Sequence, residues 1–390
     1  MAIPVNKITC RYNIKGIVEN KNMKTSRAGR FNIYLSYIVI FLIASFALLS
    51  GCSNGGAKNN KSVAPATSPV ALKQNGNKNN ISSLTFKVGT EPTAIAIDGL
   101  GNIWVVDSGS EDITKLSPKG ALIGTYAAPY ISGFKSLNST IAIDASGNAW
   151  VIDNGSLVEI SQTGAATIYG KSVEKPIVAG PGGIAIDSLG NIWVNGVSSI
   201  MKVNSKGVPL TGILGYKAGM NVSKLAVDSS GDVLAVNTAV NTVTKLSSDG
   251  FIIGKYKVSL SAAFLTPSSG IALDKSGNIW LGGGFKNAVT ELSRAGAVIG
   301  TYSAGDGPNA IAIDDSGNVW IANDAGDNVT ELNPSGKPIG TYPVGHGPDA
   351  IAIDASGNVW VADGGLDDVT ELIGAAKGPQ YFPYKGPQWP

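Results

Sequence analysis

Residues 347–372 read GPDAIAIDASGNVWVADGGLDDVTEL. Apolar residues alternate there with small or polar ones, and the runs are broken by glycine-bearing turns. A period of two marks β-strands, and glycine supplies the left-handed residue that a tight hairpin needs. The pattern repeats six times upstream, with its aspartate at Asp98, Asp144, Asp187, Asp228, Asp274, Asp314 and Asp354. Those positions are 46, 43, 41, 46, 40 and 40 residues apart, the length of one four-stranded propeller blade. In the sixth copy four strands, a to d, are predicted over 310–313, 318–322, 328–332 and 338–342, with Asn333-Pro334-Ser335-Gly336 turning c into d. The predicted fold is therefore all-β, a seven-bladed β-propeller of four-stranded antiparallel blades.

The last copy stops at strand c (369–372), while LTFKV at 84–88 resembles a strand d and precedes the first strand a. Pairing this N-terminal strand with the last blade would close the ring and remove an open sheet edge. The predicted propeller spans 84–374.

Composition agrees with that reading. The chain has 390 residues, 50 of them glycine and 19 proline, with 43% hydrophobic and 15% charged residues. Many short elements joined by tight turns are implied, with enough apolar residues for a large core. Residues 1–80 carry 11 Lys and Arg against one acid, which leaves the rest at about −8. A net-acidic domain lacks the phosphate-neutralising surface of a nucleic-acid binder, so DNA and RNA are not expected partners.

The basic excess precedes a mostly apolar run from Ile33 to Leu49, the length of a signal-peptide core. Leu49-Ser50-Gly51-Cys52 follows directly, and it resembles the lipobox of bacterial lipoproteins. The resemblance implies a signal peptide over 1–51, cleavage before Cys52, lipidation of its thiol and attachment to the cell-envelope membrane. Ser53 lacks the aspartate that retains lipoproteins at a Gram-negative inner membrane, so in such an envelope the outer membrane is expected. Met23 opens a more typical signal and is an alternative start. The Asn-, Lys-, Gly- and Ser-rich stretch to residue 83 is expected as a tether. Residues 375–390, with two Lys-Gly-Pro-Gln tracts and four aromatic residues, read as a tail whose rings pack on the propeller.

The motif IAIDxxGNxW followed by V-T-E-L resembles the NHL-repeat and streptogramin (virginiamycin B) lyase-like propellers. Those lyases eliminate a carbon–oxygen ester linkage with histidine and glutamate groups and magnesium, which makes such chemistry the enzymatic alternative. The catalytic residues do not carry over, because His346 is the single histidine of the chain.

Six tryptophans, Trp104, Trp150, Trp193, Trp280, Trp320 and Trp360, share one position in strand b, with Leu234 in the fourth copy. A residue repeated in every blade is expected to pack blade on blade. The turn aspartates are expected to cap their hairpins, since the tract lacks the alternating carboxylates of a calcium loop.

Three residues after the tryptophan position, strand b ends in Asp107, Asp153, Gly196, Asn237, Gly283, Asn323 and Asp363. Strand alternation puts these ends on the mouth formed by the b–c and d–a loops, where His346 also lies. Asp363, Asp107 and Asp153 belong to neighbouring blades, so a cation or basic ligand is one expectation and capping of each loop the other. Asp107, Asp153, Asn237, Asn323, Asp363 and His346 are the candidate ligand-binding residues, His346 the candidate acid–base, and Mg or Ca the cofactor if the protein is enzymatic. No serine triad, His/Cys metal cluster or phosphate loop can be assembled. The reading preferred is a monomeric, membrane-anchored module that binds an envelope protein, peptide or glycan through this mouth. A lyase-like enzyme or a carboxylate-dependent lactonase or hydrolase is the alternative.

Overall fold

In a computed structural model, which describes residues 70–72, 81–127, 140–153, 156–169, 183–212, 214–258, 270–283 and 287–378, seven antiparallel sheets follow one another along the chain. Blade six is representative, with strands a to d at Pro308–Ile313, Val319–Asn323, Asn328–Leu332 and Pro338–Pro343. Each strand pairs with its sequence neighbour, so every connection within a blade is a hairpin. Strands a of successive blades adjoin one another, and that of blade seven (Pro348–Ile353) returns to that of blade one (Pro92–Ile97), which makes the arrangement a closed seven-bladed ring. Among the described residues, no helix is long and apolar enough to cross a membrane.

The hairpins from a to b owe their geometry to the repeated aspartates. Asp354 Oδ1 accepts from the Ser356 and Asn358 amides at 2.8 and 2.9 Å, while Oδ2 takes the Asn358 side chain at 2.8 Å and Trp360 Nε1 at 3.0 Å. Gly357 holds the positive φ that the turn requires. One carboxylate thus folds the turn and fixes the indole. Burial alone would raise Asp98, but the Asn102 and Trp104 side chains and the turn amides outweigh it and keep the carboxylate ionised below its usual range.

All six tryptophans are buried. Trp104 of blade one packs on Ala149, Val151, Val158 and Ile160 of blade two, and Trp150 packs in the same way on blade three. Each indole also meets an aromatic ring from strand d of its own blade, as Trp320 meets Tyr342 at 5.4 Å between centroids. Tyr126, Tyr169, Tyr216, Tyr256 and Tyr302 then lie under Gly164, Gly207, Gly250, Gly296 and Gly336 in the c–d turn of the following blade, where a Cβ would strike the ring. These stacked contacts, repeated around the ring, are the core; fully burying one indole contributes about 5 kcal/mol as an upper estimate.

Closure comes from the N-terminal side. Ser83–Lys87 pairs antiparallel with Asp368–Leu372 in full register, as strand d of blade seven. Phe86 takes the tyrosine position, stacking on Trp360 and lying under Gly120 of blade one. Outside it, Val70–Leu72 adds a fifth strand by pairing with Ser83–Thr85. Those three residues fall within the stretch expected as tether, and their Val-Ala-Leu sequence was too short to register as a strand. At the other end, Ala376 N donates to Gly357 O, and Lys377 O accepts from Asp315 N, which holds the start of the tail on the a–b hairpins. The tail rings lie outside the described residues, as do the signal segment and Cys52.

Candidate functional site

The mouth formed by the b–c and d–a loops is built on a second repeat. Asp107, Asn237, Asn323 and Asp363 end their strands b with no solvent exposure. Each contacts a threonine seven residues on: Thr114 and Thr370 donate to Asp107 and Asp363 at 2.6 Å, while Asn237 and Asn323 donate to Thr244 and Thr330 at 2.9 Å. Each also abuts a glycine 18 residues earlier, namely Gly89, Gly219, Gly305 or Gly345. At Gly345 a Cβ would sit 2.6 Å from Asp363 Cγ, so the loop can pass only as glycine. These side chains brace the d–a loops from beneath. Of the acids expected to cluster from neighbouring blades, Asp107 and Asp363 are each engaged within their own blade and away from solvent. Asp153 ends its strand opposite Ser156, and its side chain lies outside those described.

In blade three the braced residue is Asn195, one position before Gly196. Its strand is a residue shorter, and its Nδ2 reaches Val222 O of the next blade at 2.6 Å while Oδ1 accepts from Gly183 N. Counting three residues from the tryptophan therefore picked the wrong position there.

Two of the braces are acids where others are amides. Burial pushes Asp363 up to about 8, against the pull of the Thr370 hydroxyl, and drives Asp107 well above the carboxylate range. Both face a second acid in register, Asp368 and Asp112, while blade six pairs Asn323 with Asn328.

What reaches solvent lies between blades six and seven. His346 is exposed in its d–a loop, with Nδ1 2.8 Å from Asp327 Oδ1, and the same oxygen accepts from Gly347 N at 3.0 Å. That amide, together with His346, holds Asp327 below its usual range. Asp367 caps Glu91 N in the same way at 3.0 Å, and Asn287 caps Gly307 N at 3.2 Å. Capping by Asp327 is thus part of the repeat, and the histidine is an addition to it. Beside this pair stands Asp324, raised by burial, in the short 3-10 turn Asp324–Gly326.

Deeper toward the ring axis is Asp349, half-buried on strand a of blade seven, where Asn309 Nδ2 donates to it at 2.9 Å. Burial and the Asp324 charge push it up to about 6, and Lys224 pulls the other way. Lys224 belongs to strand a of blade four, three blades away, and burial brings it down to about 8 against the Asp349 charge. The two charges act on each other across the ring without a direct ion pair. Gly347, Gly364 and Gly365 let the loops pass close to Asp324, Asp349 and His346; a Cβ on Gly364 would stand 2.6 Å from Asp349 Oδ2.

Sequence reasoning found His346 and missed Asp324, Asp327, Asp349 and Lys224. For Asp324, Asp349 and Lys224 the missing signal was departure from the repeat. Four residues before the turn aspartate stand Ala94, Thr140, Gly183, Gly270, Ala310 and Ala350, with lysine in blade four alone.

The arrangement offers a group of acids on one side of the mouth, with Lys224 acting on Asp349 from across the ring. It does not fit a magnesium centre. Asp327 is committed to Gly347 and His346, Asp349 accepts from Asn309, and among the described residues no group of three His, Cys, Asp or Glu is placed to hold a metal.

No protein-family model matches the chain, and no curated protein sequence does. Solved structures do. A streptogramin B lyase superposes with a TM-score of 0.62 at 16% identity, covering 75% of this chain and 97% of that one. A catalytically inactive virginiamycin B lyase from Staphylococcus aureus, with quinupristin, gives 0.64 at 17%, covering 75% and 99%. The extracellular domain of a one-component system from B. thetaiotaomicron gives 0.53 at 12%, covering 80% and 46%. At such identities the likeness establishes that this chain has the propeller fold of the streptogramin lyases.

Proposed function

We propose that the protein is a membrane-anchored cell-envelope lipoprotein whose propeller is a binding module, and that its ligand is a protein or peptide segment bearing a cationic group. The anchor reading rests on Leu49-Ser50-Gly51-Cys52 after the apolar run. The binding reading rests on one observation: Asp324 and Asp349, which the repeat does not require, gather with the capping Asp327 on one side of the mouth, where three glycines let the loops approach them closely. A lysine or arginine side chain would meet these acids, while Lys224 would meet a carbonyl or carboxylate of the same ligand. An amino sugar fits the same chemistry.

The test is fluorescence anisotropy with lysine- and arginine-bearing peptides, neutral peptides and chitosan fragments. Asp349→Asn and Asp324→Asn should each weaken basic-peptide binding about tenfold, whereas His346→Ala should change it little. Equal binding of basic and neutral peptides would overturn the reading.

The enzymatic alternative has one observation in its favour, since Asp349 and Lys224 are both displaced toward neutrality, where a proton donor and acceptor work best. Turnover of a cyclic depsipeptide that is lost in Asp349→Asn would establish it.

A further inference from the structure

We propose that the opposite mouth, formed by the a–b and c–d turns, is a lipid-facing surface that docks on anionic membrane. Ile123, Ile253, Ile299 and Ile339 occupy equivalent places just after the c–d turns of blades one, four, five and six, and all four are exposed. Leu189 at an a–b tip is 81% exposed, and Leu100 and Phe251 are exposed on the same mouth. Because the apolar residues recur on four of the seven blades, they spread over much of the rim. A single protein partner with a local footprint would leave most of them in water, whereas a flat sheet of lipid meets all of them at once.

Charge selects the kind of sheet. Lys119, Lys206, Arg294 and Lys337 are exposed at the c–d turns of blades one, three, five and six. Acids of this mouth are mostly withdrawn, since the turn aspartates spend their oxygens on amides, asparagines and tryptophans, and Asp249 in the blade-four c–d turn is the exposed exception among the described residues. Arg294 donates to Ser230 Oγ at 2.8 Å and to no carboxylate among the described residues, at the wall of a cleft of about 260 Å³ between blades four and five. Exposed acids, by contrast, crowd the other mouth at Glu91, Glu111, Asp306 and Asp324. A second copy laid face to face would oppose basic turns to basic turns; anionic headgroups complement them.

Chain length favours the same occupant. Seventeen residues lie between Cys52 and Val70, a reach of at most about 60 Å. This part of the argument rests on the anchor proposed above. Held so near, the face needs only weak intrinsic affinity to remain engaged. Docked this way, the propeller turns its acidic mouth toward the aqueous side.

The experiment is hydrogen exchange on the full chain reconstituted in phosphatidylcholine vesicles with and without phosphatidylglycerol. Segments around Leu189 and Phe251 should exchange more slowly when phosphatidylglycerol is present, and the loop at His346 should not change. Lys119→Glu and Arg294→Glu, both exposed and checked by melting, should each reduce occupancy of the docked state about fivefold or more. Protection equal in the two lipids, or confined to the His346 mouth, would overturn the proposal. So would protection that persists in detergent and grows with protein concentration, the mark of a second copy. Retention after a carbonate wash reports separately on the anchor, so docking and anchoring can fail independently.

Discussion

Phe86 stacks on Trp360 at 5.5 Å and 28°, in the place where other blades use tyrosine, and so no phenol reaches Glu371. In blades two, five and six the equivalent hydroxyls of Tyr169, Tyr302 and Tyr342 donate to Glu159, Glu291 and Glu331 at 2.7 to 2.9 Å. Burial, with Asp354 nearby, pushes Glu371 up to about 7. Phe86→Tyr should restore the missing bond, lower the Glu371 pKa and add about 1 kcal/mol at pH 8. Chemical denaturation of the two proteins measures it; an unchanged or lower midpoint would show that the hydroxyl is not accommodated.

Removing the same ring tests closure. Phe86→Ala should cost about 3 kcal/mol or more, since the side chain fills the space between Trp360 and Gly120. Deleting Val70–Leu72, which lie at the sheet edge, should cost far less. Equal losses would place the clasp in the outer strand.

Stability should fall as pH rises from about 5 to 8.5. Asp363 and Glu371 have folded-state pKa values of about 8 and about 7, above their unfolded values, so the fold holds extra protons that are lost as pH climbs. Each contributes a slope of at most about 1.4 kcal/mol per pH unit within its window. Asp363→Asn, which installs the amide that blades four and six already carry, should flatten the thermal-melt profile above pH 6. A steeper or unaltered profile would mean that Asp363 is ionised in the fold.

Gly345→Ala should destabilise by about 2 kcal/mol or more, because the new methyl would lie 2.6 Å from Asp363 Cγ. Gly212→Ala meets nothing within 4 Å and serves as the control. A double-mutant cycle with Asp363→Ala should show strong coupling; additive losses would assign the cost to the loop itself.

Binding of a basic peptide should weaken as pH drops through about 6, where Asp349 takes up a proton. Asp349→Asn should abolish that dependence while leaving the salt dependence from Asp324 and Asp327. Titrations at pH 5 and 7.5 decide it, with pH-independent wild-type binding as the adverse result.

The architecture was legible because every blade solves the same packing problem with the same residues. Asp354, Gly357 and Trp360 each have a role that a 40-residue period exposes. The closing strand was legible for the same reason, Phe86 standing where a tyrosine recurs. The mouth was read only in part. Asp107 and Asp363 drew attention as acids at repeated loop positions, yet repetition there signals bracing, since Thr114 and Thr370 hold them in the sheet. Lys224 and Asp349 show themselves only when each column is compared across all blades and the ring is closed, because residues more than 120 positions apart in sequence must then share an axis.

Lys87 bonds to Asp368 across 281 residues, and this separation has a bearing on biosynthesis. Six blades can form in succession from local hairpins as the chain is made, each on the edge of the last. The seventh must wait until Asp368–Leu372 has been made before its outer strand, among the first propeller residues synthesised, finds a partner. Until then the growing ring has two free rims, and a neighbouring nascent chain presents the same strand sequence at the same moment. Intermolecular latching, with one molecule's Ser83–Lys87 completing another's last blade, is thus the characteristic misassembly that this topology invites, and fast local folding of the early blades is its main protection.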